Sequence, residues 1–201
     1  MNHKFLSLLT QKYRIVLGSR SPRRVALLKE TGADFRQIIP DLEEDRLPGE
    51  APYAFAERLA KDKALHVAKQ LNDDELVIGC DTIVVLASNV LGKPSDEDEA
   101  FSILSKLAGK RHNVCTALAI ADQARIIVSG YEITEVTFNK VTGEQIRDYI
   151  ATGEPMDKAG AYGIQGMGAF LVDSIEGNLD TVIGFPRQLL EDLSKRVLEA
   201  C

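Results

Sequence analysis

Cysteine is scarce: Cys80, Cys115 and Cys201 are the three in a chain of 201 residues. An odd, scattered set without CxxC spacing excludes a disulfide framework and a zinc ribbon, and fits free thiols in a reducing compartment. Long apolar runs are missing too, since nothing approaches the roughly 18 residues of a membrane span. Met1 to Thr10 has neither a long apolar segment nor a small-residue cleavage site, which predicts no signal peptide. Excess basic charge is lacking: the net charge is −6, which argues against a broad duplex-binding surface. A few well-placed Arg and Lys would still suffice for one triphosphate. His3, His66 and His112 have no mutual metal-ligand spacing. No Ser-His-Asp or Cys-His arrangement can be argued from order alone, no Walker loop of the GxxxxGKS or GxxxxGKT type is present, and no repeats appear. These absences predict a cytoplasmic protein with no membrane segment and no stable nucleic-acid partner.

What is present is an ordinary globular composition, 45% hydrophobic and 27% charged, with a length that fits one domain or one domain with two lobes around a cleft. Arg14 to Leu17, ending at Gly18, reads as a buried strand. Ser21-Pro22 opens a helix that Thr31-Gly32 closes. Phe35 to Ile39 reads as a second strand. Ala51 to about Leu71 reads as a long helix with Phe55, Leu59, Ala60 and Val67 on one stripe. Leu76 to Leu86 is the most apolar stretch, interrupted by Asp81-Thr82, and Ser88-Asn89 looks like a hairpin tip. Ser95 is expected to cap the next helix, with the acids Asp96 to Glu99 answering its dipole rather than a metal. Val114 to Ala121 and Arg125 to Ser129 suggest a hairpin, with Glu132 to Phe138 a separate strand. Thr142 and Gln145 have capping-box spacing before a helix that Gly153 ends. Asp157 to Gly168 reads as a shaped loop, Ala169 to Ile175 as a strand, and Pro186 to about Leu198 as a terminal helix. The expectation is an α/β or α+β fold with a mixed sheet.

Four segments could carry chemistry, and each keeps a plain alternative. In GSRSPRR, residues 18–24, a strand, a small-residue turn and a helix start make an anion site. Arg23 and Arg24 sit in the first helical turn, where a cation is unfavourable unless an anion compensates it, or unless the turn is simply solvated. In GCDTIVV, residues 79–85, an Asp in an apolar strand is costly to bury unpaired. Asp81 either accepts a proton from water, holds a divalent ion, or caps a turn. In LGKP, residues 91–94, Lys93 precedes Pro94 and is held extended. In DKAGAYGIQG, residues 157–166, glycines permit close backbone approach to a ligand, and Gln165 could read a uracil or thymine edge. A structural turn serves there equally well. Glu43 and Glu44 are adjacent acids, surface groups or metal ligands. Lys63 on the long helix could reach into a cleft, although a solvent-facing lysine is the default.

Together and in this order, GSRSPRR, GCDTIVV, LGKP and DKAGAYGIQG resemble the Maf family of nucleoside triphosphate pyrophosphatases, from about Ile15 to Pro186. The D-T pair and the DKAGAYGIQG segment are similar to the branch acting on dTTP and UTP. The resemblance implies a central mixed β-sheet flanked by helices with a deep cleft, similar to inosine triphosphate pyrophosphatase. It implies Asp81 as catalytic base, with Arg23, Thr82 and Gln165 setting base specificity. Ser19, Arg24, Lys63 and Lys93 would contact phosphate or substrate, and Glu44 with Asp81 would hold a divalent cation, Mg²⁺ or Mn²⁺. The substrate would be a nucleoside triphosphate, and a homodimer is compatible with it. Residues 178–186 depart from the family's pattern with Leu179 and Phe185. Two further readings stay open: a non-catalytic nucleotide-sensing regulator of septum formation, and the same reaction on methylated GTP.

Overall fold

The computed structural model describes residues 3–200, so Met1, Asn2 and Cys201 lie outside the described residues. Two compact units make up the chain. The first contains residues 1–81, 116–132 and 184–201, and the second contains 82–115 and 133–183.

The elements run α1 (Lys4–Lys12), β1 (Arg14–Gly18), α2 (Pro22–Lys29), β2 (Phe35–Ile38), α3 (Pro52–Ala68), β3 (Glu75–Leu86), β4 (Asn89–Leu91) and α4 (Glu97–Leu107). There follow β5 (Arg111–Ala121), β6 (Ile126–Phe138), α5 (Gly143–Ala151), three 3-10 turns (Glu154–Asp157, Ala159–Ala161, Gly166–Leu171), β7 (Val172–Glu176), α6 (Leu179–Ile183) and α7 (Arg187–Ala200). The strand order is β2-β1-β3-β5-β6-β7, with β4 paired to β3. β1 is parallel to β2 and β3, whereas β3–β4 and β6–β7 are antiparallel, so the sheet is mixed as expected.

Local chemistry accounts for most of these boundaries. Ile15, Val16 and Leu17 are buried in succession, the pattern of a parallel strand covered on both faces. α2 starts where Ser21 caps and Pro22 takes the first helical position. The Thr142–Gln145 capping box forms in both directions at the start of α5. In the second unit, Leu104, Leu107, Val136, Phe138, Ile146, Ala161 and Leu171 belong to one buried apolar cluster. Buried beside it, His112 packs edge-on to Phe138 and Tyr162, with its Nε2 2.9 Å from the Tyr162 hydroxyl. Burial pushes the His112 pKa down to about 4.

Several expectations need correction. The β3–β4 turn falls on Ala87-Ser88, because Leu86 pairs with Asn89. Asp96, not Ser95, caps α4: its carboxylate accepts from the Glu99 amide at 2.8 Å, while Ser95 donates to the Glu99 side chain. Residues 126–138 form a single strand, since Gly130 marks close packing on Leu189 and Leu193 of α7 rather than a turn. β7 begins only at Val172, as residues 166–171 are still in a 3-10 turn. α1 was not anticipated. Its N-terminal amides, Phe5 and Leu6, are capped by Glu191 of α7 at 2.6 and 3.0 Å.

Candidate functional site

The most unusual environment in the first unit lies where β3 meets α3. Gly79 makes it possible: a Cβ there would lie 2.3 Å from the Ala60 carbonyl and 2.7 Å from the Ala64 amide. Helix and strand backbones therefore approach almost to contact, as a side-chain-free residue allows. Lys63 lies between Ala60 and Ala64 on the buried face of α3 and is itself 6% exposed. Its Nζ sits 2.5 Å from Asp81 Oδ1 and 2.8 Å from Glu44 Oε1. The solvent-facing default for Lys63 is thus overturned. A buried amine is held there because two carboxylates compensate it.

Asp81 is 4% exposed. Burial raises its pKa above the usual carboxylate range, while the charges of Lys63 and Arg24 pull the other way. A carboxylate destabilised as an anion but held in place by an ammonium is a competent proton acceptor. Asp81 and Glu44 are also hard oxygen donors converging on one cationic position, a donor set that fits a hard divalent cation. Among the described residues no cluster of three or more His, Cys, Asp or Glu suited to a metal occurs. Such a cation would therefore draw its remaining oxygens from phosphate and water, as Mg²⁺ commonly does.

The turn after β1 is built separately. Ser19 is 3% exposed, and its carbonyl accepts from Gln37 Nε2 at 2.6 Å. Its hydroxyl accepts from the Ser21 amide and from Arg24 Nη1, both at 3.2 Å. Arg24 also donates from Nη1 to the Cys80 carbonyl at 2.9 Å and from Nε to the Gly184 carbonyl at 3.0 Å. Three oxygens of the fold therefore answer Arg24, and no external anion is needed to explain its place in the first turn of α2. The Cys80 thiol is fully buried against the Gly184 carbonyl, and burial pushes its pKa up to about 11, so it is inert at neutral pH.

The structure thus joins Lys63, Asp81 and Glu44, and joins Ser19 with Arg24. Arg23 is half-buried in the first turn of α2. Thr82, half-buried, and Lys93 and Gln165, both exposed, belong to the second unit. Sequence reasoning missed Gly79 and the carbonyls of Cys80 and Gly184. Only Gly79, a glycine inside a strand pattern, gave a signal that could have been followed.

Residues 14–197 match the protein family described as Maf-like protein. A protein from Aquifex aeolicus named dTTP/UTP pyrophosphatase is 46% identical over 173 residues, covering 86% of this chain and 90% of that protein. A protein of the same name from Geobacter sulfurreducens is 44% identical over 187 residues, covering 92% and 97% respectively. Among solved structures, a HAM1 protein from Coxiella burnetii aligns with a TM-score of 0.53 at 17% identity, covering 93% of this chain and 99% of that one. That last likeness is one of fold. Among the described residues, no helix is long and apolar enough to cross a membrane.

Proposed function

The chain belongs to the Maf-like family, and from that premise we propose that it hydrolyses dTTP and UTP to the monophosphate and pyrophosphate. The observation that carries the reading is the buried carboxylate of Asp81, held 2.5 Å from the Lys63 ammonium on a strand packed hard against α3. Relatives of about the same length, matched over most of the chain, carry the dTTP/UTP name, which supports the substrate class.

In this mechanism Asp81 accepts the proton of a water whose oxygen bonds to the α-phosphorus. The bond from that phosphorus to the bridging oxygen breaks, and its electron pair leaves on pyrophosphate. Lys63 holds Asp81 in position and keeps part of it ionised. Lys93 offsets charge developing on the leaving phosphates. Ser19 and Arg24 fix the turn after β1, whose start of helix favours an anion, and with Lys63 they are assigned to contact with phosphate or substrate. Arg23, Thr82 and Gln165 are assigned to recognition of the base. A hard divalent cation, Mg²⁺ or Mn²⁺, held by Glu44 and Asp81 would supply positive charge to the phosphate oxygens. We assign the reaction to the cytoplasm, with no nucleic-acid partner, and a homodimer is compatible with it.

The test is incubation with dTTP, UTP, CTP and methylated GTP, each with Mg²⁺, followed by measurement of pyrophosphate. Release from dTTP and UTP above the other two is expected. Preference for methylated GTP would refute the substrate assignment, and nucleotide binding without pyrophosphate would favour a sensing regulator.

A further inference from the structure

The glycines of the segment that carries Gln165 close around side chains of the protein itself. A Cβ on Gly163 would lie 2.9 Å from Lys158 Cε and 3.2 Å from Glu154 Oε1, and one on Gly166 would lie 2.9 Å from Glu154 Oε2. A Cβ on Gly168 would lie 2.5 Å from the Tyr149 hydroxyl. These glycines therefore pack closely on the protein's own groups: the Glu154 carboxylate, its partner Tyr149, the Lys158 side chain and the Gly163 carbonyl.

The hydrogen bonds follow the same centre. The Glu154 carboxylate accepts from the amides of Met167 at 3.0 Å and Gly168 at 3.3 Å. It also accepts from the Tyr149 hydroxyl at 2.9 Å, and that hydroxyl accepts from the Gly163 amide at 3.1 Å. Both ends of residues 163–168 are thus tied to one group, the later end directly and the earlier end through Tyr149. Gln165 stands exposed between the two anchors. Glu154 is fixed in turn: Lys158 Nζ donates to its backbone carbonyl at 2.6 Å, and Gly153 before it takes a φ of 74° that suits glycine. Partial burial opposes ionisation of Glu154, but the donors from Met167, Tyr149 and Gly168 outweigh it and hold the carboxyl below its ordinary range. The anchor is an anion at neutral pH.

We propose that Glu154 is a positioning residue for base recognition, an internal anion around which residues 163–168 fold so that Gln165 is presented to the pyrimidine edge. The proposal rests on the reading of Gln165 as the base-recognising residue. A neutral amide cannot replace the carboxylate, because it offers one oxygen where three donors converge and turns an NH₂ group toward others. Loss of the anchor should therefore blur discrimination between bases before it slows the chemistry.

Two measurements on the same samples test this: hydrogen exchange of the amides at 163–168, and kcat/KM on dTTP and CTP. Glu154→Gln is expected to speed that exchange about tenfold or more. It should also lower the dTTP-to-CTP ratio about tenfold, chiefly through KM for dTTP. Glu154→Asp, which keeps the charge, should recover part of the ratio. Tyr149→Phe removes the link to Gly163 and one of the three donors to Glu154 but leaves the carboxylate and its two amide donors, so it should shift both readouts the same way by less, and it serves if Glu154→Gln does not fold. Equal losses on both nucleotides with an unchanged ratio would overturn the proposal, as would unchanged exchange at 163–168. A wild-type protein that does not distinguish dTTP from CTP would instead overturn the reading of Gln165, so the two failures are told apart.

Discussion

Replacing Gly79 with alanine perturbs the contact on which the site is built. The new Cβ would lie 2.3 Å from the Ala60 carbonyl, 2.7 Å from the Ala64 amide and 2.8 Å from the Ala64 methyl. All three atoms belong to or sit directly on the α3 backbone, so no flexible side chain can swing aside. Ordinary contact needs about 3.5 Å, which requires α3 to retreat by about 1 Å. Lys63 travels with that helix. Its 2.5 Å contact with Asp81 would then lengthen toward the limit of a hydrogen bond. Overpacking of a core costs roughly 1–3 kcal/mol, and the backbone clash places this variant near about 3. For a chain of this size that is a fall of about 6–12 °C in Tm. A misplacement of about 1 Å at a catalytic group costs about 100-fold in rate. Thermal unfolding by circular dichroism gives the first quantity. Pyrophosphate release from dTTP, measured well below the variant's Tm, gives the second. A Tm within about 2 °C of wild type together with full activity would refute the idea that this close approach sets the site.

Two further outcomes concern stability and pH. Glu75 is 2% exposed and takes a two-pronged ion pair from Arg36, with both contacts at 2.8 Å, as well as bonds from the Asn72 amide and side chain. Arg36 chiefly lowers its pKa to about 2, so its contribution is complete above about pH 4.5 and is lost as the pH falls through about 2. Because Arg36 is 45% open to solvent, the loss in Glu75→Ala should be only about 2 kcal/mol by denaturant titration at pH 7, shrinking in acid. His112 acts with the opposite chemistry and the same direction. Its folded pKa of about 4 lies below the ordinary 6.5, so the neutral ring's contribution is intact above about pH 6.5 and is lost as the pH falls through 4. His112→Phe should flatten the stability curve between those pH values by up to about 3 kcal/mol, and an unchanged slope would contradict the burial argument.

What the sequence disclosed depended on whether the cause was local. Caps and turns near their own helices could be read directly: Ser21-Pro22 opens α2 and the Thr142–Gln145 box opens α5. Asp81 stood out because a carboxylate inside LVIGCDTIVVL is costly wherever that strand lies. Effects that reach across the chain stayed hidden. The cap of α1 comes from Glu191, 185 residues beyond Leu6, so no local pattern announces it. Two of the three acceptors that compensate Arg24 lie 56 and 160 residues away, at Cys80 and Gly184. Lys63 shares its helix face with Ala60, Ala64 and Val67, yet a lysine at such a position signals burial only once Asp81 and Glu44 are known to meet it. The glycines of residues 157–166 suggested close approach of a ligand, and nothing local showed that Gly163 and Gly166 also pack on Glu154.

The most direct test of the central claim is turnover by Asp81→Asn. The substitution keeps the volume and an oxygen for Lys63 but removes the basicity. Pyrophosphate release from dTTP should fall by a factor of about 10³, within the range for loss of a general base, while equilibrium binding of dTTP stays within a few-fold of wild type. Turnover close to wild type in that variant would contradict the assignment of Asp81 as the group that takes the proton from water.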